Sequence, residues 1–524
     1  MSLVINQNTW LSEFFFACSR KMAVSRKVLR IGVIGSDISA CAFTGFIKRK
    51  LPSASVCLFT ESNELCHDIP KKGVTFSSPW IRNDKKGRIA ILELGRDILG
   101  LAPKEFIVSD VKASSCFSLM PEIGVTGIKF PSFRAMIRNM FSIGLEPFRR
   151  RRHRTDSSPS LSVYEFISNR FSERFAKRYS NALTRYFFAC DDSTSVSVHM
   201  AFPKMMRNYT VHGSVLLGPF MSVFSSWGIS SSNQTADVLD PLWQELMTGG
   251  KFVSMSSRLD LSEFRDMLVH HIKCSLTGVE IVDEKEIEVN TSQDGKTCVL
   301  WGSKESRESY ECDVIVTSRN AREIMKMFSI TDEKTDWADR LSQSREVICT
   351  RFQEVVCREG KLHKFEQSQW INTSESSNII GGVSPSLLFP GKSSHWVVDV
   401  FSHTPLTDSE MEIFPHRVAE NREHIPSPGL SYAEDMMLFN KWRREIYRKK
   451  KVDVEVVGKW FYCPSGSISD QIFDAFQLAN RLSERYEDFP KSVENDSSHF
   501  WVNRNDRCLD LKYSPFQDSQ RKFF

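Results

Sequence analysis

The chain has no run of 18 or more apolar residues, so no segment meets the length requirement of a membrane-spanning helix. It has no CxxC pair and no short Cys/His ladder, although it carries 13 cysteines. A disulfide framework and a structural zinc site are therefore not expected, and the odd count favours a reducing compartment. Gly-x-Ser-x-Gly and P-loop patterns are both missing, and no internal repeat is visible. These absences remove a hydrolase elbow, a Walker-type phosphate loop and a solenoid. Charge of one sign is also scarce: 69 basic against 64 acidic residues gives +5. That excess is too small and too spread out to indicate nucleic acid by itself. What is present is length. At 524 residues, 41% hydrophobic and 25% charged, the chain suits a folded protein of two or three subdomains.

The clearest local pattern lies near the start. VLRIGVI at 28–34 is a short apolar run rich in β-branched residues. Gly35, Ser36, Asp37, Ile38, Ser39 and Ala40 follow, then a helical stretch over 41–50. VCLF at 56–59 reads as a second buried strand, closed by Thr60 and Glu61. Strand, glycine turn, helix, strand, acid is the dinucleotide-binding layout. In it Gly35, Ser36, Ser39 and Ala40 line the phosphate turn, and Glu61 takes the ribose hydroxyls.

The turn itself is altered. G-x-G-x-x-G reads here as Gly35, Asp37, Ala40. Ala in the third place is tolerated. Asp37 in the second puts a Cβ and a negative charge where the backbone should meet a pyrophosphate. At about 4 Å, like charges repel by roughly 4 kcal/mol at an effective dielectric near 20. The attraction of an exposed helix N-terminus, about 0.3–1 kcal/mol, does not offset that. Independently of any ligand, Asp37 or Ser36 suits the helix N-cap.

Several segments then resemble the protoporphyrinogen oxidase family of FAD-linked amine oxidases. AILELG at 90–95 is similar to that family's A-I-F-E-L-G strand and turn, and LEPFRRRR at 145–152 to its E-P-F arginine segment. YEFISNRF at 164–171, YFFACD at 186–191, AFPK at 201–204 and HGS at 212–214 follow at near-family spacing. IIGGV at 379–383 leads to Phe389 and Pro390, and SISDQI at 467–472 resembles G-I-P-D-C-I, with Asp470 at its acid. The likeness is collinear over residues 28–488. It implies an α/β fold: a Rossmann-type FAD/NAD(P)-binding domain, a mixed substrate-type domain and a helical insertion. It also implies a flavin that takes hydride from a porphyrinogen, held and oriented by the protein.

Positions that would touch the cofactor have drifted together. The family's glycine pair after the second strand is Cys66 and His67, and the one in S-L-x-G-G-L is Ser257 and Arg258. Glycine pairs let backbone lie against a flat ring or phosphate. The ribose acid is displaced by one residue, with Thr60 in its place and Glu61 after it. Such a slip turns a strand side chain to the other face. The turn that approaches the flavin begins at Gly458, with Lys459 and Trp460 replacing small residues. The arginine near substrate carboxylates falls at Cys116. FAD binding is thus expected to be weak or lost. Gly35, Ser36, Ser39, Ala40, Glu61, Gly458 and Asp470 remain as a degenerate cofactor-binding set. No catalytic residue and no metal ligand is assigned.

The remaining features are weaker. RRRRHR at 149–154 suits phosphate, RNA or anionic lipid, or a solvated loop of the kind the family carries. His270 and His271 point to different faces of one helix, which disfavours a metal. Cys41, Cys57, Cys298, Cys312 and Cys349 sit in apolar runs and read as core. Segments 279–290, 298–301 and 310–317 alternate like a meander, ending in a strand that returns to the nucleotide domain. The stretch 402–454 matches poorly, so part of the substrate-domain sheet is expected to be missing.

The expected organisation is a basic start at 1–27, read as a mitochondrial presequence or a disordered, interaction-prone segment, with Met22 an alternative first residue. A nucleotide lobe takes 28–95, 250–325 and 441–488, and a substrate-type lobe 96–120 and 326–440. A helical insertion spans 121–225, a connector 226–249 and a polar tail 489–524. The expected function is non-catalytic: a component or assembly factor of a larger, mitochondrial complex with protein partners. The alternative is an active FAD-dependent oxidase of protoporphyrinogen or a related substrate. An RNA-associated scaffold is a weaker third reading. The family resemblance also allows peripheral membrane contact by the helical part.

Overall fold

The structure is a computed structural model. It describes residues 28–60, 64–69, 74, 76, 80–81, 90, 92–102, 106–109, 118–120, 160–202, 206, 209, 252–255, 261–283, 286–291, 297–302, 307–329, 335–355, 369–372, 378–383, 395–411, 416–427, 429–461 and 468–486. The basic start, the connector, the arginine run, Glu61, Cys116, Ser257, Arg258 and the polar tail lie outside the described residues.

β1 (Arg30–Ile34), α1 (Ile38–Lys50) and β2 (Ser55–Thr60) form the expected first unit. The short strands β3 (Trp80–Ile81), β4 (Phe106–Ser109) and β5 (Ser118–Met120) follow. Helices α2 (Val163–Arg170) and α3 (Glu173–Phe188) belong to the helical insertion. β6 (Phe252–Met255), α4 (Leu261–His270) and β7 (Val279–Asp283) come next. The meander is β8 (Ile287–Thr291), β9 (Thr297–Trp301) and β10 (Glu308–Glu311), and β11 (Val314–Thr317) returns from it. α5 (Ala321–Met327) and α6 (Asp336–Leu341) precede β12 (Ser344–Val355), β13 (Gln369–Asn372), β14 (Ile379–Val383), β15 (His395–Ser402) and β16 (Arg417–Pro426). The last elements are α7 (Tyr432–Lys450), β17 (Asp453–Val456) and α8 (Ile468–Tyr486).

The central sheet is parallel throughout, in the order β17-β11-β1-β2-β7. Ile31, Val33, Val314 and Val316 are wholly buried in it. A parallel strand covered on both faces requires that kind of continuous apolar run. One face carries α1 and α8, where Phe46 meets Phe476 edge-on with centroids 5.4 Å apart. The other face carries the meander, α7 and the described part of the helical insertion. A second, mixed sheet runs β16-β12-β15-β14-β13-β5, and β3-β6-β4 form a small third one. The whole is the α/β architecture expected from the sequence.

Three local expectations are corrected. Residues 92–98 form a π-helical turn and not a strand. Ala90, Leu94 and Ile98 recur every four residues and are buried, a helical spacing. Ile98 packs on α1 at Gly45, its methyl carbons 3.6 Å from where a Cβ would stand, an ordinary contact distance. β7 is not in the meander; it pairs with β2 at the edge of the parallel sheet. Its mostly open side chains suit an edge position. Nor is the mixed sheet short of a strand in 402–454, because β16 pairs with β12 from Ser344–Pro426 to Phe352–Arg417.

Candidate functional site: the crevice at the start of the first helix

The carboxyl ends of β1 and β11 and the first turn of α1 form the place where an open α/β sheet binds ligands. The structure brings Gly35, Ser36, Ser39, Ala40 and Gly458 together there, and sets Asp470 in the first turn of α8 beside Gln471. Their contacts are with one another and with the rest of the chain.

Gly35 has φ +142°, and a Cβ on it would fall 2.0 Å from Ser318 Oγ, just past β11. Gly458 has φ +94°, and its Cβ would stand 2.8 Å from Ser39 Oγ. Both glycines are thus demanded by close packing of the scaffold on itself and by left-handed backbone. The Gly458 N–H donates to Asp474 Oδ2 of α8 at 3.1 Å, and Ser39 Oγ donates to Gln471 Oε1 at 2.8 Å. Ser36 Oγ lies 2.9 Å from Nδ1 of the exposed His67 ring.

The decisive geometry concerns the helix start. Asp37 is the N-cap of α1, and its Oδ1 accepts the Ala40 N–H at 2.9 Å. Asp68 approaches from the loop after β2, and its Oδ1 accepts the Ile38 N–H at 2.8 Å. Two of the N–H groups that a helix N-terminus offers to an anion are therefore taken by carboxylates of the same chain. Burial, then the Asp68 charge, pushes the Asp37 carboxyl up to about 7. Burial also raises Asp68, while His67 and Lys459 pull it back.

A third carboxylate, on the mixed sheet, lies within electrostatic reach of Asp68. Glu423 on β16 accepts the Phe76 N–H at 2.8 Å. Its acidity is weakened by burial, opposed chiefly by the Lys459 charge. Lys459 donates from Nζ to the His424 carbonyl at 3.1 Å. The positive charge of Lys459 thus favours the charged forms of Asp68 and Glu423.

Cys66, in the altered glycine pair, has left-handed backbone with φ +54°. Its thiol is buried, and burial followed by the neighbouring Cys41 pushes it well above the ordinary thiol range. It is not a poised nucleophile. Cys41, Cys57, Cys298, Cys312 and Cys349 are buried free thiols. His270 ends α4, and His271 next to it is lowered by burial and by His270. Among the described residues, no group of three or more His, Cys, Asp or Glu is placed to hold a metal, and no helix is long and apolar enough to cross a membrane.

Sequence reasoning weighed Asp37 but missed Asp68, Glu423 and the role of Lys459. Asp68 stands immediately after the altered glycine pair, a signal that was available. Nothing local announces Glu423, whose partner Phe76 is 347 residues away.

No protein-family model matches the sequence, and no curated protein matches it. The architecture is the Rossmann-type fold of FAD-dependent amine oxidase structures. An Exiguobacterium protein assigned as a protoporphyrinogen oxidase superposes with a TM-score of 0.57 at 12% identity, over 87% of this chain and 99% of that one. Cyclohexylamine oxidase of Brevibacterium oxydans gives 0.53 at 12% identity, over 88% and 100%. Reduced UDP-galactopyranose mutase gives 0.52 at 10% identity, over 88% and 95%. At such identities the likeness concerns the fold.

The residues present do not fit FAD at the phosphate turn. A pyrophosphate there would find the Ile38 and Ala40 N–H groups already held by Asp68 and Asp37, and whatever charge these carboxylates carry would oppose it.

Proposed function

We propose that this chain is a non-catalytic protein on the protoporphyrinogen oxidase-like fold, serving as a component or assembly factor of a larger complex. One observation carries the reading: Asp37 and Asp68 cap the start of α1 from two sides. The scaffold is retained, while the anion seat that a dinucleotide requires is filled from within. The glycines that looked like cofactor contacts are explained by packing against Ser318 and Ser39. A folded chain with its cofactor seat closed retains surface and shape as its means of action. The basic first 27 residues motivate a mitochondrial location. An active FAD oxidase is not favoured, because the Ile38 and Ala40 N–H groups at this turn are held by Asp68 and Asp37.

The test is the visible spectrum of the native protein, followed by cofactor release on denaturation and by uptake of added FAD. The expected result is no flavin absorption, no uptake and a cooperative thermal transition. Flavin near one per chain would overturn the reading. So would stable monomeric behaviour in extracts of the source cells with no co-purifying protein.

A further inference from the structure

α7 offers a surface that the fold leaves unsatisfied. Its inner face is fixed by buried Tyr432, Met436, Phe439, Arg443 and Ile446. The opposite face, by helical spacing, carries Glu434, Met437, Lys441, Arg444, Glu445 and Arg448, with Leu438 and Lys449 at its edge. Met437 and Leu438 are 38% and 43% exposed, two large apolar side chains about 100° apart around the helix that flank the basic stripe. From Leu438 to Arg448 the stripe runs about 15 Å along the helix.

The four cations have no ion pair with an acid among the described residues. Exposed arginines elsewhere do: Arg322 with Asp339, Arg417 with Glu420 and Arg422 with Glu346. Arg444 is held below its ordinary value by partial burial and by the charges of Arg443 and Arg448. Glu434 and Glu445 are the acids on or beside this face, and Asp435 is engaged by Arg340. The helix dipole accounts for basic residues in the last turn, Arg448, Lys449 and Lys450. It does not account for Lys441 and Arg444, because its influence fades within one turn.

We propose that this face of α7 is the docking surface for an acidic segment of a partner protein that carries apolar side chains for Met437 and Leu438. The proposal rests on the reading of the chain as a component of a complex. Charge complementarity selects an anionic partner, and the apolar pair selects one with apolar anchors of its own. A nucleic acid strand is disfavoured because no aromatic ring is exposed on the stripe for base stacking. A lipid surface is disfavoured because two apolar side chains are little to insert.

The experiment uses the purified full chain and three fluorescent probes: an amphipathic Glu/Leu peptide, vesicles containing phosphatidylserine, and polyuridylate RNA. Peptide binding is expected, falling with added salt. The double variant Lys441→Glu/Arg444→Glu should weaken it at least about tenfold, and Leu438→Ser about threefold. A control double reversal elsewhere, Arg322→Glu/Arg422→Glu, should leave it within about twofold. All variants change exposed side chains, and matching thermal transitions confirm the fold. Absence of peptide binding, equal loss in the control, or tighter binding of vesicles or RNA with the same sensitivity each overturns the proposal. Flavin content of the same preparation separates the two readings. A flavin-loaded chain that binds peptide sinks the non-catalytic reading alone, and a flavin-free chain that does not bind sinks this one alone.

Discussion

Asp37 and Asp68 meet at the start of one helix: Asp37 Oδ1 holds the Ala40 N–H at 2.9 Å and Asp68 Oδ1 holds the Ile38 N–H at 2.8 Å. Two carboxylates this close to a helix N-terminus gain from its partial positive charge and lose from each other and from burial. The loss dominates, since Asp37 is raised to about 7. The crevice is a site where protons, and not only the chain, help to neutralise charge.

That arrangement has a pH signature. An Asp37 carboxyl near 7 in the fold, against an ordinary 3.8, keeps its proton to higher pH when folded. Its contribution to stability is therefore complete below about pH 4 and is lost as pH rises to about 7. Asp37→Asn keeps a cap acceptor and removes the charge. Thermal unfolding should show the variant near wild type at pH 4 and more stable at pH 8, by about 1–3 kcal/mol. A stability difference that does not change between those pH values would count against the assignment.

Opening the seat should restore part of what the fold offers. Asp37→Gly with Asp68→Asn frees the Ala40 N–H and removes both charges. ADP, titrated calorimetrically, should bind this variant at least about tenfold more tightly than the wild type. Equal affinity would mean that the two carboxylates are not what keeps a diphosphate out.

Gly458 provides a separate check on why glycine stands there. Gly458→Ala places a Cβ at φ +94° and 2.8 Å from Ser39 Oγ. The expected cost is about 2–3 kcal/mol, from backbone strain and the clash together. Ser39→Gly in the same chain should recover part of it, leaving the backbone share. Unchanged melting of Gly458→Ala would show that packing is not the reason for glycine.

The β1–α1–β2 unit was legible because its signals are local. A parallel strand needs a contiguous apolar run, and the Asp37 cap spans three residues. The crevice was only half legible, because Asp68 closes it across 30 residues and Glu423 comes from a different sheet. No periodicity encodes such a meeting. Residues 92–98 were misread for another reason. Likeness of a six-residue string to a strand outweighed the four-residue spacing of Ala90, Leu94 and Ile98, which is what burial against α1 follows.

β17 is an edge strand and yet is buried along its whole length. Asp453 and Glu455 on it are both 1% exposed or less. Arg443 of α7 reaches Glu455 at 2.6 Å, Arg481 of α8 reaches the same oxygen at 3.0 Å, and Arg485 pairs with Asp453. Burial and the Glu455 charge push Asp453 up to about 6, opposed by the three arginines. Removing one partner from such a cluster leaves charge buried without compensation, at a cost of about 3–5 kcal/mol. Arg443→Met should therefore lower the thermal midpoint strongly at pH 8. The sign of its pH dependence follows from the same residues. With Arg443 gone, Asp453 is less well held in its charged form and its folded value moves further above the ordinary 3.8. The deficit should then grow as pH rises through and beyond about 6, and shrink toward pH 5, where protonation relieves the strand. Melting curves at pH 5 and pH 8 decide it: a deficit of the same size at both would mean that Arg443 acts by packing on Phe439 and not by charge.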